Sequence, residues 1–364
     1  MFYDLGGGLL GQAAASFPYY RQTSFYTTYY PLPPEAAVAP AFTLNPPVAS
    51  IYGAVKGLKL PVTHEWNLAV EQSLGRNDVV SVSYVGAAGR NLLRQDYFVN
   101  PNGNFTYAYL LRNTGFSNFD SMQVQYQHRL SKGLHAMASY TWAHSLDNAS
   151  NDSASYLSAL QINPSRDYGP SDFDIRHALS AAFAYDLPHG PTVLLRNWAL
   201  DGVLIARSAT PVDVTYYRDL GFGLYNFRPD IIPGVPLYLD DPNVAGGRRF
   251  NADAFDFPNT FPGRQGTLGR NVLRGFNLNQ LNFTVRREFP LVERMKMQFR
   301  AEMFNALNHP NFADPAGALF SPEFGYSTRM LAQDLGRGGV NGGLNPLYQV
   351  GGPRSIQLAL RLVF

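Results

Sequence analysis

The chain has no cysteine, which excludes disulfide frameworks, thiolate metal sites and cysteine nucleophiles. Charged residues make up only 15% of its 364 residues, whereas a typical soluble protein has roughly 25%. The formal net charge of +2 does not indicate the strongly basic surface that binding to nucleic acid requires. No window approaches the roughly 18 consecutive apolar residues of a membrane-spanning helix. The start, "MFYDLGGGLLGQAAASF", also lacks the basic region and long apolar core of a signal peptide.

Aromatic residues, in contrast, reach 14%, with 22 Tyr and 25 Phe, and the chain carries 33 Gly and 26 Pro. Its apolar residues alternate with uncharged polar ones, a pattern that favours β-strands over helices. The last segment, "PRSIQLALRLVF", shows the alternation clearly. It puts five apolar residues on one face of a strand: Ile356, Leu358, Leu360, Leu362 and Phe364.

About nine such segments recur, and their connections are alternately short and long. They cover residues 63–74, 79–86, 121–130, 134–146, 173–187, 198–216, 277–288, 295–307 and 353–364. Long irregular connections are unusual inside a compact soluble domain. Short turns on one side and long loops on the other are typical of an outer-membrane barrel, with the turns periplasmic and the loops extracellular. The pattern therefore predicts an all-β fold, an antiparallel transmembrane β-barrel with about 9–10 long strands.

In a barrel the apolar face of each strand meets lipid and the polar face lines a wet lumen. The predicted lipid face of the last strand carries the five residues named above, and Phe364 resembles the aromatic ending that barrels present to the assembly machinery. The predicted lumen-facing residues are Gln280, Asn282, Thr284, Gln298, Arg300 and Glu302. The predicted interfacial aromatic girdle comprises Trp66, Tyr84, Tyr140, Trp142, Tyr185 and Trp198. A soluble β-sandwich would bury the apolar face instead, and alternation alone does not distinguish the two folds.

The strand count also predicts that the barrel is partial. A bacterial single-chain barrel has an even number of strands and no open edge in lipid. With periplasmic turns, the strand near residue 63 and the last strand both run inward. Residues 1–60, rich in Pro and aromatics, are therefore expected to form an extracellular, loop-like segment, and residues 61–364 the C-terminal part of a barrel.

Several blocks resemble the TonB-dependent receptors with Oar-like β-barrels. They include "VTHEWNLAVEQSLGRNDVVSVSYVGAAGRNLLR", "FDSMQVQYQHRLSKGLHAMASYTWAHSLD", "DYGPSDFDIRHALSAAFAYDLPHG", "GRNVLRGFNLNQLNFTVRREFPL" and "MQFRAEMFNALNHPNF". The resemblance runs from about residue 61 to the end, in the family's order. It implies a Gram-negative outer-membrane barrel of 22 strands, filled by an N-terminal plug and energised through TonB. This sequence shows no plug or TonB-contacting segment, so it resembles the C-terminal barrel portion of such a receptor.

The segment "RDYGPSDFDIRH" places Asp172 and Asp174 on one strand face, a pair of carboxylates that could bind a hard cation. The alternative is a cluster of charges at the start of a strand, with Arg176 paired to an aspartate. We favour this second interpretation and predict no metal site.

His144, Ser145 and Asp147 lie together at the end of a strand, and some outer-membrane barrels are hydrolases. Adjacent residues of an alternating strand point to different faces, however, and the sequence shows no third group that completes a triad. We therefore expect neither catalytic residues nor a cofactor, and do not expect an enzyme.

Two functions remain. The first is uptake of a scarce solute, such as a siderophore or glycan, with partners that include outer-membrane lipid, the barrel-assembly machinery and, through the plug of the parent protein, the TonB complex. The alternative is a structural or adhesive outer-membrane barrel without active transport. A plug and TonB-contacting segment in the parent would favour transport.

Overall fold

The computed structural model describes residues 11, 13–20, 31, 34, 48–150, 164–188, 190–219, 224–257, 265–292, 295–335 and 350–363. Phe364 and most of residues 1–60 lie outside this part of the chain. The long strands are β1 (Val48–Ala54), β2 (Val62–Leu74), β3 (Asp78–Asn102), β4 (Phe105–Ser131) and β5 (Leu134–Asp147), then, after the two-residue β6 (Gly169–Pro170), β7 (His177–Asp186) and β8 (Trp198–Arg207).

Short strands follow in the long connection after β8: β9 (Pro211–Val212), β10 (Tyr216–Asp219), β11 (Leu224–Phe227), β12 (Asp230–Ile231), β13 (Tyr238–Asp240), β14 (Arg248–Phe250), β15 (Phe255–Asp256) and β16 (Leu273–Arg274). The chain then returns through β17 (Leu278–Val292), β18 (Met295–Phe304), a short helix α1 (Leu331–Leu335) and β19 (Ser355–Val363).

Nine of the long strands form one continuous path, in the order β19-β18-β17-β8-β7-β5-β4-β3-β2. We call these nine strands the wall. Every pair along the path is antiparallel, as predicted. The two ends of the path, β2 and β19, do not pair with each other within the described residues. The wall is therefore an open sheet, and the prediction of an antiparallel β fold with about nine long strands is confirmed.

The register across the wall keeps apolar residues on one side over all nine strands. Leu360 lies opposite Phe299, for example, and Phe299 lies opposite Arg287 on the next strand. Because side chains alternate along each strand, these pairs define a single surface, which we call the apolar face. Its members are Trp66, Leu68, Val70, Val80, Val82, Tyr84, Met122, Val124, Tyr126, Leu134, Ala136, Ala138, Tyr140, Trp142, Leu179, Ala181, Phe183, Tyr185, Trp198, Leu200, Gly202, Leu204, Leu281, Phe283, Val285, Arg287, Met297, Phe299, Ala301, Met303, Ile356, Leu358, Leu360 and Leu362.

The stretch between residues 87 and 119 differs from the prediction. It was expected to be an irregular loop, but β3 and β4 continue through it as one long hairpin that turns at residues 103–104. Its sequence lacks clean alternation because both faces hold mixed residues: Ala108 and Leu111 are buried, and so are Arg94 and Asp96. β1 runs parallel to β4 along this extension, from Val48 opposite Phe105 to Ala54 opposite Leu111.

Two other strands, β7 and β8, are shorter than predicted. β7 begins at His177 rather than at residue 173, because the backbone N–H of Asp174 bonds back to the carbonyl of Ser171, 2.9 Å away, and forms a turn. β8 ends at Arg207 rather than near residue 216. Pro211 follows, and a proline cannot donate to a sheet ladder.

Candidate functional site

The long connections at one end of the wall fold into a unit with its own core. We call this unit the cap; it comprises the described parts of residues 208–277 and 305–335. Its buried apolar cluster is Val212, Val214, Phe250, Ala254, Phe255, Leu268, Leu273 and Phe324. Within it the rings of Phe255 and Phe324 pack edge-to-face with their centroids 6.0 Å apart, which is a favourable geometry for a pair of aromatic rings.

Short β pairings hold the cap together. The β13–β14 pair places Tyr238 opposite Phe250, and the β9–β16 pair places Val212 opposite Leu273. A parallel bridge between Thr215 and Ala318 then joins the first long connection to the second. The two connections, far apart in sequence, thus become one folded layer.

Arg270 attaches the cap to the wall. Its guanidinium donates to Asp147 at the end of β5, to Asp172 at 2.7 Å and to the hydroxyl of Ser150 at 2.6 Å. The Arg270 side chain is 8% exposed. Burial by itself would lower the pKa of Arg270, but the carboxylates of Asp147 and Asp172 outweigh it and raise that pKa above its usual value. Arg270 therefore stays charged and paired.

A second chain of ion pairs joins the cap to the β3–β4 hairpin. Arg228, on the cap, donates to Asp167 at 2.9 Å, and Asp167 also accepts from Arg94 on β3. Arg94 lies 3.1 Å from Asp96, which Arg112 on β4 contacts at 3.2 Å. Arg228 and Asp96 are essentially inaccessible to solvent. Burial raises the pKa of Asp96, against the opposing effect of Arg94 and Arg112.

Asp174 is the centre of a third cluster. Its carboxylate accepts from Arg274 of the cap at 2.6 Å, from Arg176 at 3.0 Å and from the backbone N–H of Ser145 at 2.7 Å. Burial by itself would raise the pKa of Asp174, but these hydrogen bonds outweigh it and lower that pKa below its usual value. We refer to the three clusters together as the ion-pair network.

The structure separates the residues considered as a nucleophile and its base. His144 contacts Asp174 at 3.2 Å through Nδ1. The hydroxyl of Ser145 lies 2.8 Å from that of Ser171, and the carboxylate of Asp147 accepts from Arg270. Each of the three side chains thus has a different partner.

The aspartates considered as cation ligands are bound to cations of the protein itself. Asp172 pairs with Arg270, and the expected pairing of Arg176 with an aspartate is confirmed, with Asp174 as its partner. Across the described part of the chain, no group of three or more His, Asp or Glu side chains is arranged to hold a metal ion.

The residues predicted for the lumen lie on the side of the wall opposite the apolar face. Glu302 lies opposite Thr284 in the register, and Arg300 contacts Glu302 at 2.7 Å. Asn282 lies two residues before Thr284 on β17 and therefore on the same face. Gln280 is almost fully buried, and its amide oxygen accepts from the backbone N–H of Gly351 at 2.7 Å. Gln298 donates to Glu288 at 3.2 Å.

The predicted girdle residues all lie on the apolar face, but Tyr84 is opposite Leu68 at the middle of β2 rather than near an end of the wall. Trp66 packs over Gly86, its register partner, in space that any larger side chain would fill. Tyr140 lies at the middle of β5, Trp142 lies towards the cap end of that strand, and Trp198 begins β8 at the other end. Of the residues predicted for the last strand, Ile356, Leu358, Leu360 and Leu362 are at least half exposed.

Sequence reasoning did not find most of the ion-pair network. The residues it missed are Arg94, Asp96, Arg112, Arg228, Arg270 and Arg274. The one available signal was the presence of arginines inside Gly- and Asn-rich connections, such as "GRNVLRGFN", in a chain with few charges.

A family comparison identifies the fold. The model of the family described as "Outer membrane beta barrel domain" matches residues 1–338. The chain belongs to this family. Membership confirms the outer-membrane location in a Gram-negative bacterium and excludes the soluble sandwich that alternation left open. No helix among the described residues is both long and apolar enough to span a bilayer.

The solved structures to which the chain is similar include the following three. The outer membrane transporter YddB from Escherichia coli is 9% identical, with a TM-score of 0.49 over 86% of this chain and 34% of that chain. P. aeruginosa FpvA bound to heterologous pyoverdines is 10% identical, with a TM-score of 0.43 over 84% and 27%. The FrpB iron transporter from Neisseria meningitidis is 11% identical, with a TM-score of 0.41 over 87% and 33%.

The chain thus spans about one third of the length of these solved structures. No curated protein matches it significantly.

Proposed function

We propose that this chain is the C-terminal barrel portion of a TonB-dependent outer-membrane receptor of the Oar-like type, which takes up a scarce solute such as a siderophore or a glycan. The observation that carries the proposal is the cap. Long connections that only shielded a pore would need no core of their own, whereas these share an apolar cluster and are ion-paired to the strand ends. An ordered cap gives a solute a fixed surface to bind, since preorganised loops lose little entropy on binding.

In this proposal the apolar face of the wall meets lipid, with Leu358 and Leu360 near the middle of the bilayer. The opposite face, with Thr284, Arg300 and Glu302, lines the lumen. The tryptophans and tyrosines near both ends of the wall lie at the two membrane interfaces. This assignment agrees with a register that keeps the two sets of residues on opposite sides of every strand pair.

The proposal also assigns the remaining segments and partners. Residues 1–60 form an extracellular segment, and residues 61–364 form the C-terminal part of the barrel. The terminal strand with Phe364 is recognised by the barrel-assembly machinery. The plug that contacts TonB belongs to a part of the parent protein outside this sequence.

Uptake by cells that produce the full-length protein tests the proposal. Radiolabelled ferric siderophores and oligosaccharides are offered with and without an uncoupler of the proton-motive force. We expect at least one solute to accumulate and the uncoupler to abolish its accumulation. If the protein is present in the outer membrane but no solute accumulates in an energy-dependent way, and cell adhesion instead depends on the protein, the structural or adhesive function replaces transport.

A further inference from the structure

The connection between β7 and β8 carries an apolar patch at the end of the wall opposite the cap. Val193, Leu194 and Leu195 follow one another there and are 75%, 73% and 55% exposed. Single exposed apolar residues are common, but a contiguous group is informative because water solvates it poorly. We call these three residues the aliphatic patch.

Hydrogen bonds hold the aliphatic patch in a fixed shape. The three residues form one turn of 3₁₀ helix, in which the N–H of Leu195 bonds to the carbonyl of Thr192 at 3.1 Å. The indole N–H of Trp198 donates to the carbonyl of Leu194 at 2.7 Å, and Arg287 donates to the carbonyl of Val193 at 2.6 Å. The backbone carbonyls of Val193 and Leu194 are thus hydrogen-bonded within the protein, while the three aliphatic side chains remain exposed.

The two side chains that hold the patch show on which side of the wall it lies. Trp198 and Arg287 are register partners on the apolar face. The guanidinium of Arg287 lies 5.1 Å from the Trp198 ring and 4.6 Å from the Phe289 ring. The aliphatic patch therefore continues the apolar face beyond the end of the strands, on the side away from the predicted lumen.

Cationic groups lie beside the patch. Arg196 follows it directly in the chain and donates to the carbonyls of Gly190 and Pro191 at 3.2 and 3.5 Å. Arg287 contacts the first residue of the patch, Val193. Aliphatic side chains next to tryptophan and arginine are the composition of a membrane interface, where apolar groups enter the acyl region and guanidinium groups stay among phosphates.

We propose that the aliphatic patch is an interfacial anchor that inserts into the phospholipid leaflet on the periplasmic side, with Arg196 and Arg287 at the level of the lipid phosphates. The proposal rests on the proposed lipid contact of the apolar face, with which the patch is continuous. A second copy of the chain and a soluble periplasmic protein are the alternative occupants.

Depth measurements on single spin labels test this, and no cysteine of this chain competes with the introduced one for the label. Leu194→Cys is the test position, Val193→Cys a second position on the patch, Leu358→Cys the control on the apolar face, and Asp253→Cys the control on the exposed cap surface. The full-length protein is labelled in vesicles of phosphatidylethanolamine and phosphatidylglycerol. Collision rates with oxygen and with a water-soluble nickel chelate are then compared.

We expect the oxygen-to-nickel ratio at Leu194 and Val193 to lie well above that at Asp253 and below that at Leu358, because the interface is shallower than the middle of the bilayer. A low ratio at both patch positions with a high ratio at Leu358 overturns the anchor and leaves the proposed lipid face intact. A low ratio at Leu358 removes the lipid face, and the anchor with it. Strong spin–spin broadening at Leu194 identifies a second copy as the occupant and also overturns the anchor.

Discussion

The wall and the cap obtain their order in different ways. In the wall, neighbouring strands pair in register, and large apolar side chains such as Leu358 and Leu68 remain exposed. In the cap, several large side chains are fully buried, including Phe227, Phe250 and Arg228. The wall therefore depends on its surroundings to cover its apolar face, whereas the cap supplies its own apolar core and pairs its arginines with aspartates at the end of β5 and in the β5–β7 connection. Substitutions in the two regions should therefore destabilise the protein for different reasons.

The largest effect is expected for Arg270→Met, which removes the cation shared by Asp147 and Asp172. Breaking a buried pair leaves an uncompensated carboxylate and costs about 3–5 kcal/mol of stability. Because the lost contacts join cap to wall, we expect proteases to cut residues 208–277 while the strands stay protected. Limited proteolysis of the full-length protein in outer membranes measures this.

Arg300→Met is the matched control within the wall. The pair between Arg300 and Glu302 is 37% and 22% exposed, and such pairs contribute at most about 1 kcal/mol. We expect its cleavage pattern to match that of the unaltered protein. Equal protease sensitivity of the two variants would mean that Arg270 does not hold the cap.

A charge on the apolar face should damage the wall and spare the cap. Leu358→Arg puts a guanidinium where we propose lipid, at a cost of about 2–4 kcal/mol near the bilayer centre. Gln357→Arg, one residue earlier, points to the opposite face and lies opposite Glu302. We expect only the first variant to lose the heat-modifiable band of an assembled barrel on gels. Normal assembly of both would contradict the proposed lipid contact.

Gly266→Ala tests how closely the cap is packed. A Cβ at Gly266 would overlap the carbonyl group of Pro229, a backbone atom that cannot swing away. Overpacking of this kind costs about 1–3 kcal/mol. At Gly103, in the turn of the β3–β4 hairpin, a Cβ would meet nothing, so Gly103→Ala serves as the control. Urea titrations of protease resistance should move to lower urea for Gly266→Ala alone; an unchanged midpoint would refute the packing.

The smallest effect concerns acid. The pKa of Asp174 lies below its unfolded value, so its contribution to stability is present above the usual aspartate range and is lost as the pH falls through the folded pKa. We expect the cap to lose protease resistance on acidification, and Asp174→Asn to be less stable at neutral pH but less sensitive to acid. The exposed Asp253→Asn should change neither property. An undiminished acid response in Asp174→Asn would assign that response to other groups.

The same contrast explains what could be predicted from the sequence. Each strand of the wall carries its own alternation, so "SIQLALRLV" indicates both a strand and its two faces without knowledge of any neighbour. The β3–β4 extension lacks that signal because a charged residue, Arg94, is buried there against Asp167, 73 residues away in the chain. Arg270 and Asp147 are 123 residues apart, and no local pattern joins them. The cap and the ion-pair network therefore required the structure.

A face-by-face scan of β18 tests the central claim most directly. Single cysteines at residues 297–303 of the full-length protein carry a fluorophore, and brominated phospholipids and iodide quench it from lipid and from water. We predict quenching by brominated lipid at Met297, Phe299, Ala301 and Met303, and by iodide at Gln298, Arg300 and Glu302. If brominated lipid quenched none of the odd-numbered positions, or quenched the even-numbered ones instead, the assignment of the apolar face to lipid would be wrong.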